Sequence, residues 1–90
     1  MSNRIKIYTK RGCLHCLNAK RLLLDEGFEF QECNVDDNTK YLEEFKLLYK
    51  ITQTDALPTL VVGERLLVPG KSFMEIKEIP RILKEILKKG

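Results

Sequence analysis

Apolar and polar positions alternate at the start of the chain and then change period. In Arg4-Ile5-Lys6-Ile7-Tyr8, Ile5 and Ile7 alternate with charged residues, the period of a strand over 4–8, central and parallel to its neighbour. From Leu17 to Glu26 there is no Gly or Pro and many good helix formers, which predicts a helix over 14–26. Cys16, Ala19, Leu22 and Leu23 fall at inward spacing, Asn18, Arg21 and Asp25 face out, and Gly27 is the stop. Phe28 to Val35 reads as a second strand, with Phe28, Phe30 and Glu32 sharing a face. A β–α–β unit of this kind takes a right-handed crossover and pairs its strands in parallel.

Asp36-Asp37-Asn38 supplies a turn and a cap for a helix over 38–50, striped by Tyr41, Leu42, Phe45, Leu48 and Tyr49. Residues 51–56 read as a loop. Pro58 opens a third strand, Thr59 to Val62, and Gly63-Glu64 fits a two-residue hairpin turn into a fourth, Arg65 to Val68. Pro69-Gly70 ends the sheet. Ser72 with Glu75 three residues later reads as a capping box for a third helix. Pro80 bends that helix or stands early in a following segment, and Ile79, Ile82, Leu83, Ile86 and Leu87 line its core face. The order β-α-β-α-β-β-α predicts an α/β fold: a four-stranded mixed sheet with helices on both faces, one domain over 1–90.

Composition narrows the classes. Ninety residues bury about 60–65% of their unfolded surface, enough for one core without staples. The 43% hydrophobic content is ordinary for a globular chain. No apolar run reaches signal-peptide length near Met1 or approaches a membrane span, so the expected compartment is the cytoplasm. Net charge is +3, without a basic patch interleaved with aromatics, which argues against nucleic-acid binding. Lys84, Lys88 and Lys89 fall in the last helical turns, where cations suit the helix dipole. A monomer is expected.

Three cysteines, two of them in one tetrapeptide, do not make a secreted disulfide framework. They point instead to Cys13-Leu14-His15-Cys16. Cys13 falls where a strand gives way to a helix, and Cys16 follows three residues on. Residues so spaced lie on one helix face, about 5–6 Å apart, within disulfide reach. Free N–H groups at a helix start favour an anion, so the Cys13 thiol should ionise before the Cys16 thiol. Lys10, Arg11 and a protonated His15 add positive charge. The thiolate is the attacking species in disulfide exchange, so the site reads as a redox nucleophile, Cys13, with a resolving partner, Cys16.

With these residues in place the chain resembles the glutaredoxin branch of the thioredoxin fold. The resemblance rests on Tyr8-Thr9-Lys10 leading into the two cysteines, on Ala19 and Leu23 in the following helix, on Leu57-Pro58 before a hairpin, and on element order and length. It implies a thiol–disulfide oxidoreductase acting on protein or glutathione mixed disulfides, with no tightly bound cofactor. Glutathione stands as a candidate co-substrate, and glutathione or thioredoxin reductase as the electron donor. Lys10 would steady the thiolate and touch substrate. Leu57-Pro58 would be a cis bond facing the thiols. Tyr8, Lys10, Leu57, Pro58 and Ser72 would line the groove.

The chain also departs from the family. Where glutathione-using members carry a glycine pair and an Asp, it has Leu67-Val68-Pro69-Gly70-Lys71-Ser72; Ser72 or Lys71 is left to hold a carboxylate. The Trp-Ser-Gly-Phe-type segment of redoxins fed by thioredoxin reductase is absent too. Leu14-His15 replaces the common Pro-Tyr, and His15 would make the couple more oxidising.

Other readings stand beside this one. Cys33 reads as a small core residue. Tyr41, Phe45 and Tyr49 read as core and rim packing. Cys13, His15, Cys16 and Cys33 are four potential metal ligands, which leaves a metal or iron–sulfur module open. A non-catalytic adaptor that binds an extended peptide beside Pro58 is a third class.

Overall fold

The computed structural model describes residues 5–89. Arg4, assigned to the first strand, lies outside them. Strands β1 (Ile5–Thr9), β2 (Gln31–Asn34), β3 (Thr59–Val62) and β4 (Arg65–Leu67) form one sheet in the order β2-β1-β3-β4. β1 pairs with β2 in parallel and with β3 antiparallel, and β3 with β4 antiparallel. Helices α1 (Leu14–Asp25), α2 (Thr39–Thr52) and α3 (Ile79–Lys89) complete it, with a 3-10 turn at Ile76–Glu78 before α3. The fold is the expected thioredoxin-like α/β arrangement.

The period of two along β1 decides what faces what. Ile5 and Ile7 point to the side covered by α1 and α3, where they join Ala19, Leu23, Leu60, Val62, Ile79 and Leu83. Ile7, Leu23, Leu60 and Leu83 have no exposed surface, and burying each such side chain stabilises the fold by about 2–3 kcal/mol. Tyr8 points to the other side and packs with Cys33 against Phe45 of α2. Cys33 is buried, as expected of a core residue.

The boundaries need several corrections. β2 begins at Gln31, not Phe28. Phe28 and Phe30 pack on the α1 side as partly buried residues ahead of the strand. α2 extends through Ile51 and Thr52, into the stretch expected to be a loop, and closes on Gln53 in a left-handed conformation with its N–H on the Tyr49 carbonyl. β4 ends at Leu67, one residue short of the expected Val68.

Ser72 and Glu75 do not form a capping box. The box sits three residues later, where the Glu78 carboxylate accepts from the Glu75 N–H. The Ser72 hydroxyl instead accepts from the Val68 N–H at 2.9 Å and donates to the Leu66 carbonyl at 3.2 Å. Pro80 is the second residue of α3, where its missing N–H has no partner to lose.

Candidate functional site at the start of the first helix

β1 delivers the chain to the site through Lys10-Arg11-Gly12. The Arg11 N–H donates to Asp36 at 3.0 Å and its guanidinium pairs with Asp37, so the connection is tied to the turn after β2. Gly12 takes φ +72°, a left-handed conformation that suits a residue without Cβ. Cys13 is then extended, at φ −94° and ψ 103°, and acts as the N-cap of α1. Its carbonyl accepts from the Leu17 N–H at 3.1 Å, and its sulfur accepts from the Cys16 N–H at 3.2 Å. A cap position normally held by a Ser or Asp oxygen is held here by sulfur.

Cys13 and Cys16 form a disulfide, with Cα atoms 5.2 Å apart. The two ends differ in access: Cys13 is half-buried, while Cys16 is 2% exposed. A reagent from solution therefore meets Cys13 first. Once the bond opens, the free amide of Cys16 and the positive end of α1 point at the Cys13 sulfur, favouring its anion.

One cleft borders this bond, and a second shares Lys10 with it. The first, of about 410 Å³, runs between α1 and β2 and is lined by both cysteines with Thr9, Lys20, Glu32 and Asn34. The second, of about 320 Å³, lies against α2 and is lined by Leu57, Phe45, Tyr49, Lys46 and Asp55. Exposed Lys10 borders both. Leu57-Pro58 is cis, with Pro58 buried at the entrance to β3. Hydrogen bonds among Thr52, Thr54, Ala56 and Thr59 shape its approach. His15 is exposed on the first turn of α1.

Two residues expected in the groove are elsewhere. Tyr8 is buried beneath α2; its hydroxyl donates to Glu44 at 2.8 Å, and its ring packs tilted against Phe45. Burial, then the bond to Glu44, holds its phenol well above the ordinary value. Ser72 borders a cleft between β4 and α3, with its hydroxyl committed to Leu66 and Val68. Lys71, the other candidate for a carboxylate, places its Nζ on the Thr52 carbonyl.

Sequence reasoning missed one cluster. Glu32 accepts from Thr9 Oγ1 and from Lys20 Nζ, each at 2.8 Å. Burial pushes the Glu32 carboxyl up, but these two bonds outweigh it, and the group sits below its usual value. Among the described residues, no three His, Cys, Asp or Glu side chains are placed to hold a metal. Cys33 faces α2, away from the cleft that both other cysteines line.

The family model described as Glutaredoxin matches residues 5–67, from β1 to the end of β4. The chain belongs to the glutaredoxin family. Glutaredoxin 3 of Escherichia coli K12 is 45% identical over 40 residues, 44% of this chain and 48% of its own length. That match thus spans about half of the curated relative. A buckwheat glutaredoxin solved with glutathione superposes with a TM-score of 0.75 at 19% identity, covering 96% of this chain and 78% of its own. The glutaredoxin-like protein NrdH-redoxin of Escherichia coli, solved to explain a thioredoxin-like activity profile, gives 0.61 at 28% identity, over 84% of this chain and 93% of its own. The glutaredoxin match ends before α3, so Lys71 and Ser72 lie beyond it.

Proposed function

We propose that this glutaredoxin-family chain is a dithiol thiol–disulfide oxidoreductase that reduces disulfides of protein substrates, or mixed disulfides with glutathione, in the reducing cytoplasm. One observation carries the reading: the Cys13 sulfur caps α1 by accepting the Cys16 N–H, with Cys16 bonded to it from the buried side. In the reduced protein the Cys13 thiolate attacks one sulfur of a substrate disulfide, and the other substrate sulfur leaves as a thiolate that takes a proton. The Cys16 thiol gives its proton to solvent and attacks the Cys13 sulfur. The second substrate thiol is released and the Cys13–Cys16 disulfide forms. Two electrons have passed to the substrate, and an external dithiol, or two molecules of glutathione, returns them.

In this reading Lys10, Leu57 and cis Pro58 shape the binding side, and Lys10 and Lys46 offer positive charge at the α2 cleft to a substrate carboxylate. His15, exposed on the first turn of α1, is the tuning residue in this reading. The engagement of Lys71 on Thr52 and of Ser72 on β4 leaves no side chain of that segment open to a γ-glutamyl end. This favours a protein reductant such as thioredoxin reductase over glutathione.

Substitution tests the roles. Cys13→Ser abolishes turnover in a disulfide-reduction assay, and Cys16→Ser traps the mixed disulfide or leaves monothiol activity only. Full activity in Cys13→Ser would overturn the assignment. An NADPH-coupled assay with two feeds, glutathione with its reductase and thioredoxin reductase, identifies the donor. His15→Tyr should raise the Cys13 pKa; no rise removes His15 from the mechanism.

A further inference from the structure

The cluster of Thr9, Lys20 and Glu32 has no part in the exchange steps above, yet it forms a wall of the cleft that the disulfide also lines. Three elements contribute to it. Thr9 ends β1 and is 1% exposed. Glu32 lies in β2, and Lys20 lies in α1, one turn after Cys16 and therefore on the same helix face. The side chains of Lys20 and Glu32 are 27% and 34% exposed, so their pairing is partly shielded from water. Both donors, Thr9 and Lys20, bond the same oxygen, Oε2, at 2.8 Å each, and so fix the carboxylate in place.

We propose that the Lys20–Glu32 pair sets the ionisation of Cys16 and so the order in which the two thiols act. A fixed carboxylate in this cleft opposes a second negative charge on Cys16, which is deep in the protein. Cys13 is compensated differently, because its sulfur has the Cys16 amide and the start of α1 to receive its charge. The asymmetry between the two thiols then comes from both ends: the helix start favours charge on Cys13, and Glu32 disfavours it on Cys16. Lys20 limits the effect by neutralising much of the carboxylate. The other groups facing the cleft are Lys10 and Asn34, with Arg11 already held by Asp37. Lys10 is exposed and stands on the Cys13 side, where water screens it, whereas Lys20 follows Cys16 by one turn of α1.

The test is a pH titration of the reduced full-length chain, following the Cys13 and Cys16 Cβ chemical shifts by NMR. Glu32→Gln keeps an oxygen for Thr9 and Lys20 but removes the charge. It should lower the Cys16 pKa by about half a unit, the size expected of one partly screened charge nearby. Lys20→Gln leaves the carboxylate unbalanced and should raise it by a similar amount, and Lys20→Arg should restore the wild-type value. Cys13 should move less than Cys16 in each variant. A pair that merely ties α1 to β2 would be loosened by either substitution, so shifts in the same direction, or none, overturn the proposal. If Glu32→Gln does not fold, the opposed responses to Lys20→Gln and Lys20→Arg still decide. The inference rests on Cys13–Cys16 being a working couple, and the two fail separately. A wild-type protein that does not interconvert between dithiol and disulfide in a glutathione redox buffer fails that reading. Unmoved titrations in a protein that does interconvert fail this inference alone.

Discussion

The two faces of the sheet are built to different depths. On one, α1 and α3 press Leu23, Ile79 and Leu83 onto Ile5, Ile7, Leu60 and Val62, and every one of these is buried. On the other, α2 sets its own Phe45 over Tyr8 and Cys33, a buried cluster of three residues against ten on the first face. The dense face holds the helix whose start presents Cys13, so the sulfur's position is fixed by the best-packed part of the molecule. The thin face leaves room for a cleft between α2 and Leu57, the one proposed above for a substrate chain. On the proposed function, holding the reacting atom and admitting its partner fall to opposite sides of one sheet.

Denaturation of core variants tests that contrast. The largest effect is expected for Leu23→Ala, which empties a fully enclosed site and should cost about 4 kcal/mol in a urea unfolding experiment. Phe45→Ala removes a larger side chain from the thinner face, where α2 can settle inward, and should cost about 3 kcal/mol. A larger loss from Phe45 than from Leu23 would break the comparison. Tyr8→Phe deletes one hydrogen bond to Glu44 and should cost about 1 kcal/mol, with the ring packing retained.

Titration gives smaller effects, one on each face. Burial pushes the Cys33 thiol above its ordinary value of about 8.5, so the folded state binds this proton more tightly than the unfolded chain. Its contribution is complete below that pH and is lost as pH rises through the folded value. Cys33→Ala should flatten the alkaline limb of the stability profile. Glu32 behaves oppositely: its lowered value stabilises the fold above about pH 4.3, and the gain is lost as pH falls through the folded value. This acid limb should be shallow, because a third of the Glu32 side chain is exposed.

Much of this architecture was legible because it is local. The alternation of Ile5 and Ile7, the unbroken run after Cys16, the Gly63-Glu64 turn and the sulfur at a helix start each depend on residues close in sequence. The errors came from contacts between distant segments. Ser72 with Glu75 has the spacing of a capping box, but its hydroxyl finds partners on β4, and nothing in the tetrapeptide signals that. The family resemblance puts Tyr8 in the groove, although strand alternation sets it opposite Ile7. Glu32 was placed on the face of Phe28 and Phe30, and Lys20 is four residues from Cys16. The signals for their meeting were present, but only pairing Ile7 with Glu32 brings the two elements into register.

β4 lies at the margin of the sheet, and strands in that position offer bare N–H and C=O groups to any passing chain. The single hydroxyl of Ser72 answers the Val68 donor and the Leu66 acceptor together, standing where a neighbouring peptide unit would otherwise dock. Its consequence is colloidal. A Ser72→Ala protein should keep its redox chemistry yet self-associate edge to edge as concentration rises, which light scattering would register before any change in activity.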